Sequence, residues 1–147
     1  LRSRLQSQQT MLSDELTLNL TNDIPIEPKR WLLSYGITNE EIGKYKIAWD
    51  ANTQILVLHY TQNYWQGRCF GNQLTKYLSK GIKPLTIYGN GATIVCVEDI
   101  LSAIKVARLE PNFCATPLLG SSMSLETTQS LSERFKKVLN KGVLIVM

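Results

Sequence analysis

The chain has 147 residues, 44% of them hydrophobic and 19% charged, with a formal net charge of +4 at pH 7. That balance suits one ordinary globular domain, or a small domain with an appendage, and excludes a wholly disordered chain or a coiled coil. The longest apolar runs, such as Ile55–Leu58 and Val143–Met147, fall far short of the ~20 residues that a membrane-spanning helix needs.

Residues 1–22 are polar and weakly patterned, and read as a loose arm or a linker punctuated by Pro25 and Pro28. Leu1-Arg2-Ser3-Arg4-Leu5-Gln6 lacks the apolar core of a secretory signal, and without a leading Met the chain reads as a piece of something longer. Lys29–Tyr35 is expected to be a short helix, with Trp31, Leu32 and Tyr35 on one face and Gly36 ending it. Thr38-Asn39-Glu40-Glu41 has the form of a capping box and opens a second short helix, to about Lys44.

The period then changes to two. Lys46–Trp49, Gln54–Tyr60 and Tyr64–Phe70 read as strands of an antiparallel meander, with turns at Asp50–Thr53 and Thr61–Asn63 and a short addition at Lys76–Leu78. Thr93–Val97 is a continuous apolar, largely β-branched run, as in a strand buried on both faces. A helix over Asp99–Leu109, a strand over Phe113–Leu119, a helix over Leu125–Leu139 capped by Ser124, and a last strand over Val143–Met147 follow. Strand–helix–strand–helix–strand predicts a parallel sheet with right-handed crossovers. The fold class is therefore α/β with an α+β N-terminal part: a small antiparallel meander, then a parallel sheet with flanking helices.

The basic surplus is unevenly spread. No Asp or Glu stands between Asp50 and Glu98, a stretch that carries Arg68, Lys76, Lys80 and Lys83 interleaved with Tyr60, Tyr64, Trp65, Phe70 and Tyr77. Two readings stay open. One is a single-stranded nucleic-acid site, where cations meet phosphates and flat rings meet bases. The other is a solvated sheet with ordinary strand aromatics. Cys69, Cys96 and Cys114 are odd in number and form no Cys-x-x-Cys pair, so neither a disulfide framework nor a zinc ribbon is visible. Cys96 and Cys114 read as small buried hydrophobes, in a reducing compartment. His59 is the only histidine, which excludes a His-based metal cluster and a serine-type triad.

Ligands of open α/β sheets bind at the carboxyl ends of the strands. Glu98-Asp99 stands at one such end and Gly120-Ser121-Ser122 at the next. A carboxylate there can hold Mg²⁺ or act as a general acid or base. Equally, Asp99 or Glu98 can cap the helix that begins at Ile100.

The run Ile94-Val95-Cys96-Val97-Glu98-Asp99-Ile100-Leu101-Ser102-Ala103 resembles the first motif of TOPRIM domains, found in DnaG-type primases, topoisomerases and phage primase-helicases. Ala115–Gly120 with Ser121-Ser122 resembles the second strand and its loop. Upstream, Trp31–Thr38 is similar to the helix that opens primase catalytic cores, and Trp65-Gln66-Gly67-Arg68 with Lys76-Tyr77-Leu78 is similar to the segment preceding TOPRIM in them. The resemblance covers roughly residues 28–139 and is nearest to a phage-type primase.

The resemblance implies an enzyme that synthesises RNA primers on single-stranded DNA by nucleotidyl transfer, with Mg²⁺ or Mn²⁺ binding the nucleotide phosphates. It makes Glu98 the catalytic acid/base or metal residue, with Asp99 as a second metal ligand. Arg68, Lys76, Lys80, Gly120 and Ser121 would contact template or nucleotide. It further implies as partners a single-stranded DNA template, nucleotides and a helicase or other replisome protein, no membrane, and the cytoplasm of a bacterial or phage-infected cell. The expected organisation is an arm over 1–27, a primase-like subdomain over 28–90 and a partial TOPRIM-like domain over 91–147.

The sequence departs from the family at defined places. Asp99 replaces the usual Gly, and Ser102 stands where an acid often sits. No Asp follows Asp99, and the last acid of any kind is Glu133, so the family's Asp-x-Asp is missing. The chain is expected to stop at Val143–Met147, where that motif would begin. If instead the third strand starts at Val138-Leu139, the pattern breaks at Asn140. Weak or no catalysis follows. The rival is a non-catalytic module of the same fold that holds single-stranded nucleic acid or a replisome partner. A third reading is an unrelated α/β protein in which Glu98 is a helix cap.

Overall fold

The computed structural model describes residues 18–109, 111–119, 129, 131, 133–135, 137–140 and 143–146. The chain forms two compact units. One comprises Leu1–Ser34 and Thr38–Pro84, the other Tyr35–Ile37 and Leu85–Met147.

The first unit is a five-stranded antiparallel meander in chain order: β1 (Leu20–Thr21), β2 (Ala48–Asp50), β3 (Ile55–Tyr60), β4 (Tyr64–Cys69) and β5 (Tyr77–Gly81). Two helices, α1 (Ile26–Ser34) and α2 (Asn39–Lys44), lie between β1 and β2 in sequence. α1 starts three residues before the expected Lys29, because Pro28 falls in the first turn, where its missing N–H would have no helical partner anyway. α2 carries the expected capping box, with the Thr38 hydroxyl accepting from the Glu41 N–H and the Glu41 carboxylate accepting from the Thr38 N–H.

Alternation sorts the sheet residues into two faces. Ile55, Val57, Trp65 and Cys69 cluster on one, with Leu18, Leu20 and Leu78 packed against them. The other bears a cross-strand row of Trp49, Leu56, Arg68 and Tyr77, each opposite the next in register. The β2–β3 turn is closed by the Thr53 hydroxyl donating to the Asp50 carboxylate. The other Asp50 oxygen accepts the Asn19 N–H at 3.1 Å, which fastens β1 to this edge. β5 runs to Gly81, past the expected Leu78, because its backbone pairs with β4 along the whole stretch from Arg68 to Tyr64.

The second unit is a four-stranded sheet of order β7-β6-β8-β9, from β6 (Thr93–Val97), β7 (Phe113–Pro117), β8 (Lys137–Asn140) and β9 (Val143–Val146). β6 is central and parallel to both β7 and β8. The helix α3 (Ile100–Leu109) connects β6 to β7 and buries Ile100, Leu101, Ala103 and Ile104. Ile94, Cys96, Cys114, Leu118 and Leu131 form the core. Within this unit the Arg108 guanidinium donates to the Gly36 carbonyl at 2.9 Å.

The α/β class with an antiparallel N-terminal part is what the sequence predicts, with two corrections in the last third. Helical backbone is found at Gln129, Leu131, Glu133 and Arg134, but Lys137–Asn140 is a strand and not the end of the expected Leu125–Leu139 helix. Val138-Leu139 is too short an apolar run for its period to decide, and the open edge of β6 offers it backbone partners. The last strand is antiparallel to β8, not parallel, because only Lys141-Gly142 connects the two, and a parallel crossover needs a dozen residues or more. Among the described residues no helix is long and apolar enough to cross a membrane.

Candidate functional site

Two places collect the predicted residues, one in each unit. In the second unit, β6 delivers Glu98 at its carboxyl end. The carbonyls of Val97 and Glu98 accept the N–H groups of Leu118 and Leu119 at 2.7 and 2.8 Å, which ties the tip of β6 to the exit of β7. Val95, Val97, Glu98, Asp99, Ser102 and Leu118 border an open depression at this end. Glu98 is exposed, and its carboxylate has no hydrogen bond or ion pair to any described residue. The Asp99 carboxylate accepts the Ser102 N–H at 2.7 Å and so caps α3. Gly120 and Ser121 lie outside the described residues.

Among the described residues the donor set does not fit a divalent cation. Mg²⁺ and its relatives take several oxygen ligands, carboxylates foremost. Here one carboxylate is presented, its neighbour is engaged on a helix end, and Ser102 offers a neutral hydroxyl. Among the described residues no three of His, Cys, Asp or Glu are grouped to hold a metal ion. Of the two strand placements, the one that includes Val138-Leu139 is seen: β8 lies beside β6, with Asn140 in register with Cys96.

In the first unit, Arg68 sits in β4, half-buried, with its guanidinium carbon 5.5 Å from the Trp31 ring centre, 5.1 Å from Phe70 and 5.6 Å from Tyr77. Its Nη1 donates to the Cys69 carbonyl at 2.8 Å and to the Lys76 carbonyl at 3.5 Å, so the group is held across the β4–β5 connection. The Trp31 and Phe70 rings meet edge to face at 5.9 Å, and Trp49 lies 6.2 Å from Phe70. Lys76 is exposed next to this cluster. Lys80 stands opposite Trp65 in register, on the sheet face away from Arg68. The structure therefore brings Arg68 and Lys76 together and separates Lys80 from them.

The aromatics of the basic stretch divide as well. Tyr64 and Trp65 are buried, and Tyr60 and Tyr77 are exposed. Trp31 belongs to the Arg68 cluster, which sequence spacing had placed only on the apolar face of a helix; nothing local to residue 31 points to residue 68. Behind β4, His59 packs against Tyr64 at 5.9 Å and its Nε2 is buried without a partner. Burial lowers the His59 pKa from its ordinary 6.5. Burial also raises the Cys69 thiol, an effect that the neighbouring Arg68 charge opposes.

No protein-family model matches this chain, and no curated protein does. Solved structures do match. A structure of the DnaG catalytic core superposes with a TM-score of 0.61 at 14% identity, covering 92% of this chain and 59% of that one. A DnaG primase catalytic domain bound to single-stranded DNA gives 0.60 at 15% identity, covering 95% and 63%. The E. coli primase catalytic core gives 0.56 at 16% identity, covering 77% and 54%. The chain shares the fold of DnaG primase catalytic cores and spans between 54% and 63% of the length of these three.

Proposed function

We propose that this chain is a primase-type core, of the TOPRIM kind, that engages single-stranded DNA as the template for primer synthesis. The observation that carries the reading is the order of parts: a basic antiparallel sheet, then β6, Glu98 and the capped helix α3, in a fold shared with a DnaG catalytic core along 92% of this chain. A DnaG primase domain of like fold is bound to single-stranded DNA, which supports the template assignment. In this reading Arg68, Lys76 and Lys80 serve the template, and Gly120 and Ser121 the nucleotide. Glu98 is the acidic residue of the nucleotidyl-transfer site. The reading carries with it a replication setting, in the cytoplasm of a bacterial or phage-infected cell, with helicase or other replisome proteins as partners.

Nucleotidyl transfer in this class uses a divalent metal, and the described carboxylates of this chain do not make a set for one. Template binding is therefore expected to outlast catalysis. The test is fluorescence anisotropy of a labelled single-stranded oligonucleotide across a salt series. It is run beside primer synthesis on single-stranded template with Mg²⁺ or Mn²⁺. The expected results are binding whose log–log salt slope is roughly −0.7 per phosphate contact, and weak or no synthesis. Absence of binding at low salt would overturn the reading. Robust synthesis abolished by Glu98→Gln would show instead that Glu98 anchors a sufficient metal site.

A further inference from the structure

Backbone carbonyls and aromatic rings together hold the Arg68 guanidinium in place. Its Nη1 is committed to two backbone carbonyls, and three rings surround the guanidinium at 5.1–5.6 Å. A cation so placed holds rings in position through their negative faces. The rings come from three places in the chain: Trp31 from α1, Phe70 from the end of β4, and Tyr77 from the start of β5. Tyr77 stands directly opposite Arg68 in register and is 46% exposed, while Trp31 and Phe70 are half-buried.

We infer that Trp31, Phe70 and Tyr77, ordered by Arg68, form a platform on which bases of single-stranded DNA stack. Every nucleobase has a flat face, so such a platform binds without reading sequence. The charge around it fits a polyanion. Lys76 is exposed beside it, and no acidic residue occurs between Asp50 and Glu98. Arg68 is then a positioning residue, acting on the bases through the rings, and Lys76 meets the phosphates. The inference deepens the template-binding reading and rests on it.

The test compares the full chain binding two labelled 20-mers, one of thymidine and one with abasic sites throughout, which keeps the phosphates and removes the bases. The native chain is expected to prefer the thymidine strand. Tyr77→Ala should weaken thymidine-strand binding roughly 5- to 150-fold, the range of about one lost base stack. It should leave abasic-strand binding and the salt slope unchanged, and Tyr77→Phe should restore the native preference. Equal binding of both strands by the native chain would overturn the platform while leaving the template-binding reading intact. So would a Tyr77→Ala loss that is the same on both strands. Binding of neither strand would overturn both. Because Tyr77 is at the surface, a far-ultraviolet circular dichroism melt that matches the native chain confirms that Tyr77→Ala is folded.

Discussion

Gly67 sits in β4 between Gln66 and Arg68, where β4 closely approaches β3. A Cβ built there would lie 2.3 Å from Ile55 Cγ2 and 2.9 Å from the Leu56 carbonyl oxygen. Carbon atoms in contact prefer ~3.5–4.0 Å, so Gly67→Ala requires more than an ångström of movement. Ile55 and Leu56 are both fully buried, and the carbonyl belongs to the sheet backbone, so neither has open space to move into. Overpacking of this kind costs about 1–3 kcal/mol. The lower entropy of the unfolded alanine chain returns about 0.4–1 kcal/mol only where the backbone is compatible. A net loss of about 1–2 kcal/mol corresponds to a fall in melting temperature of roughly 5–15 °C for a unit of this size. The assay is a thermal melt followed by circular dichroism. Ile55→Leu moves the branch away from Cβ at nearly constant volume. In that background the same Gly67→Ala change should cost less, by about 0.5–1 kcal/mol of coupling. A Gly67→Ala melt within about 1 °C of native, or strictly additive single changes, would refute the packing argument.

Two further outcomes follow from the same geometry. Asp99→Ala should cost about 1 kcal/mol through loss of the α3 cap and leave single-stranded DNA binding unchanged. Native stability combined with weakened Mn²⁺ binding, measured by titration of the paramagnetic ion, would place Asp99 on a metal. For His59, the folded state favours the neutral ring, because burial lowers its pKa from 6.5. Below about pH 6.5 the unfolded chain takes up the proton first, so stability present above that pH is lost as the pH falls toward the folded value. Denaturant melts at several pH values should show this fall, and His59→Gln should flatten it; an identical pH profile in the two proteins would refute the assignment.

What was legible in the sequence was local. Thr93–Val97 announced its own strand, because four β-branched residues in five favour the extended chain. The Thr38–Glu41 box announced its helix end. The position of Glu98 at the carboxyl end of β6 was legible for a reason of topology, since a residue directly after a strand of an α/β sheet falls at the end where ligands bind. The misses were non-local. Lys137–Asn140 becomes a strand because β6 has an open edge, which residues 137–140 cannot declare for themselves. Leu20–Thr21 is a strand only through β2 and the Asp50 carboxylate, 30 residues onward. The ring cluster needed Trp31 to meet Arg68, a pairing no periodicity encodes. Conversely, the sequence gathers Arg68, Lys76 and Lys80 in one basic stretch, and strand alternation turns Lys80 away from Arg68.

The second unit is assembled from two separated stretches, Tyr35–Ile37 and Leu85–Met147, with Arg108 reaching a carbonyl 72 residues earlier in the chain. On the ribosome, Gly36 leaves the exit tunnel among residues of the first unit, long before its partner guanidinium is translated. The five-stranded meander can close as soon as Gly81 is out, whereas the second unit must recruit a segment already exposed behind it. The same connectivity governs any attempt to divide the protein. A piece starting at Leu85 lacks the Gly36 carbonyl that Arg108 occupies, and a piece ending at Pro84 carries Tyr35–Ile37 without the rest of their unit. Each unit is built from two stretches, so neither is encoded by one contiguous run of sequence.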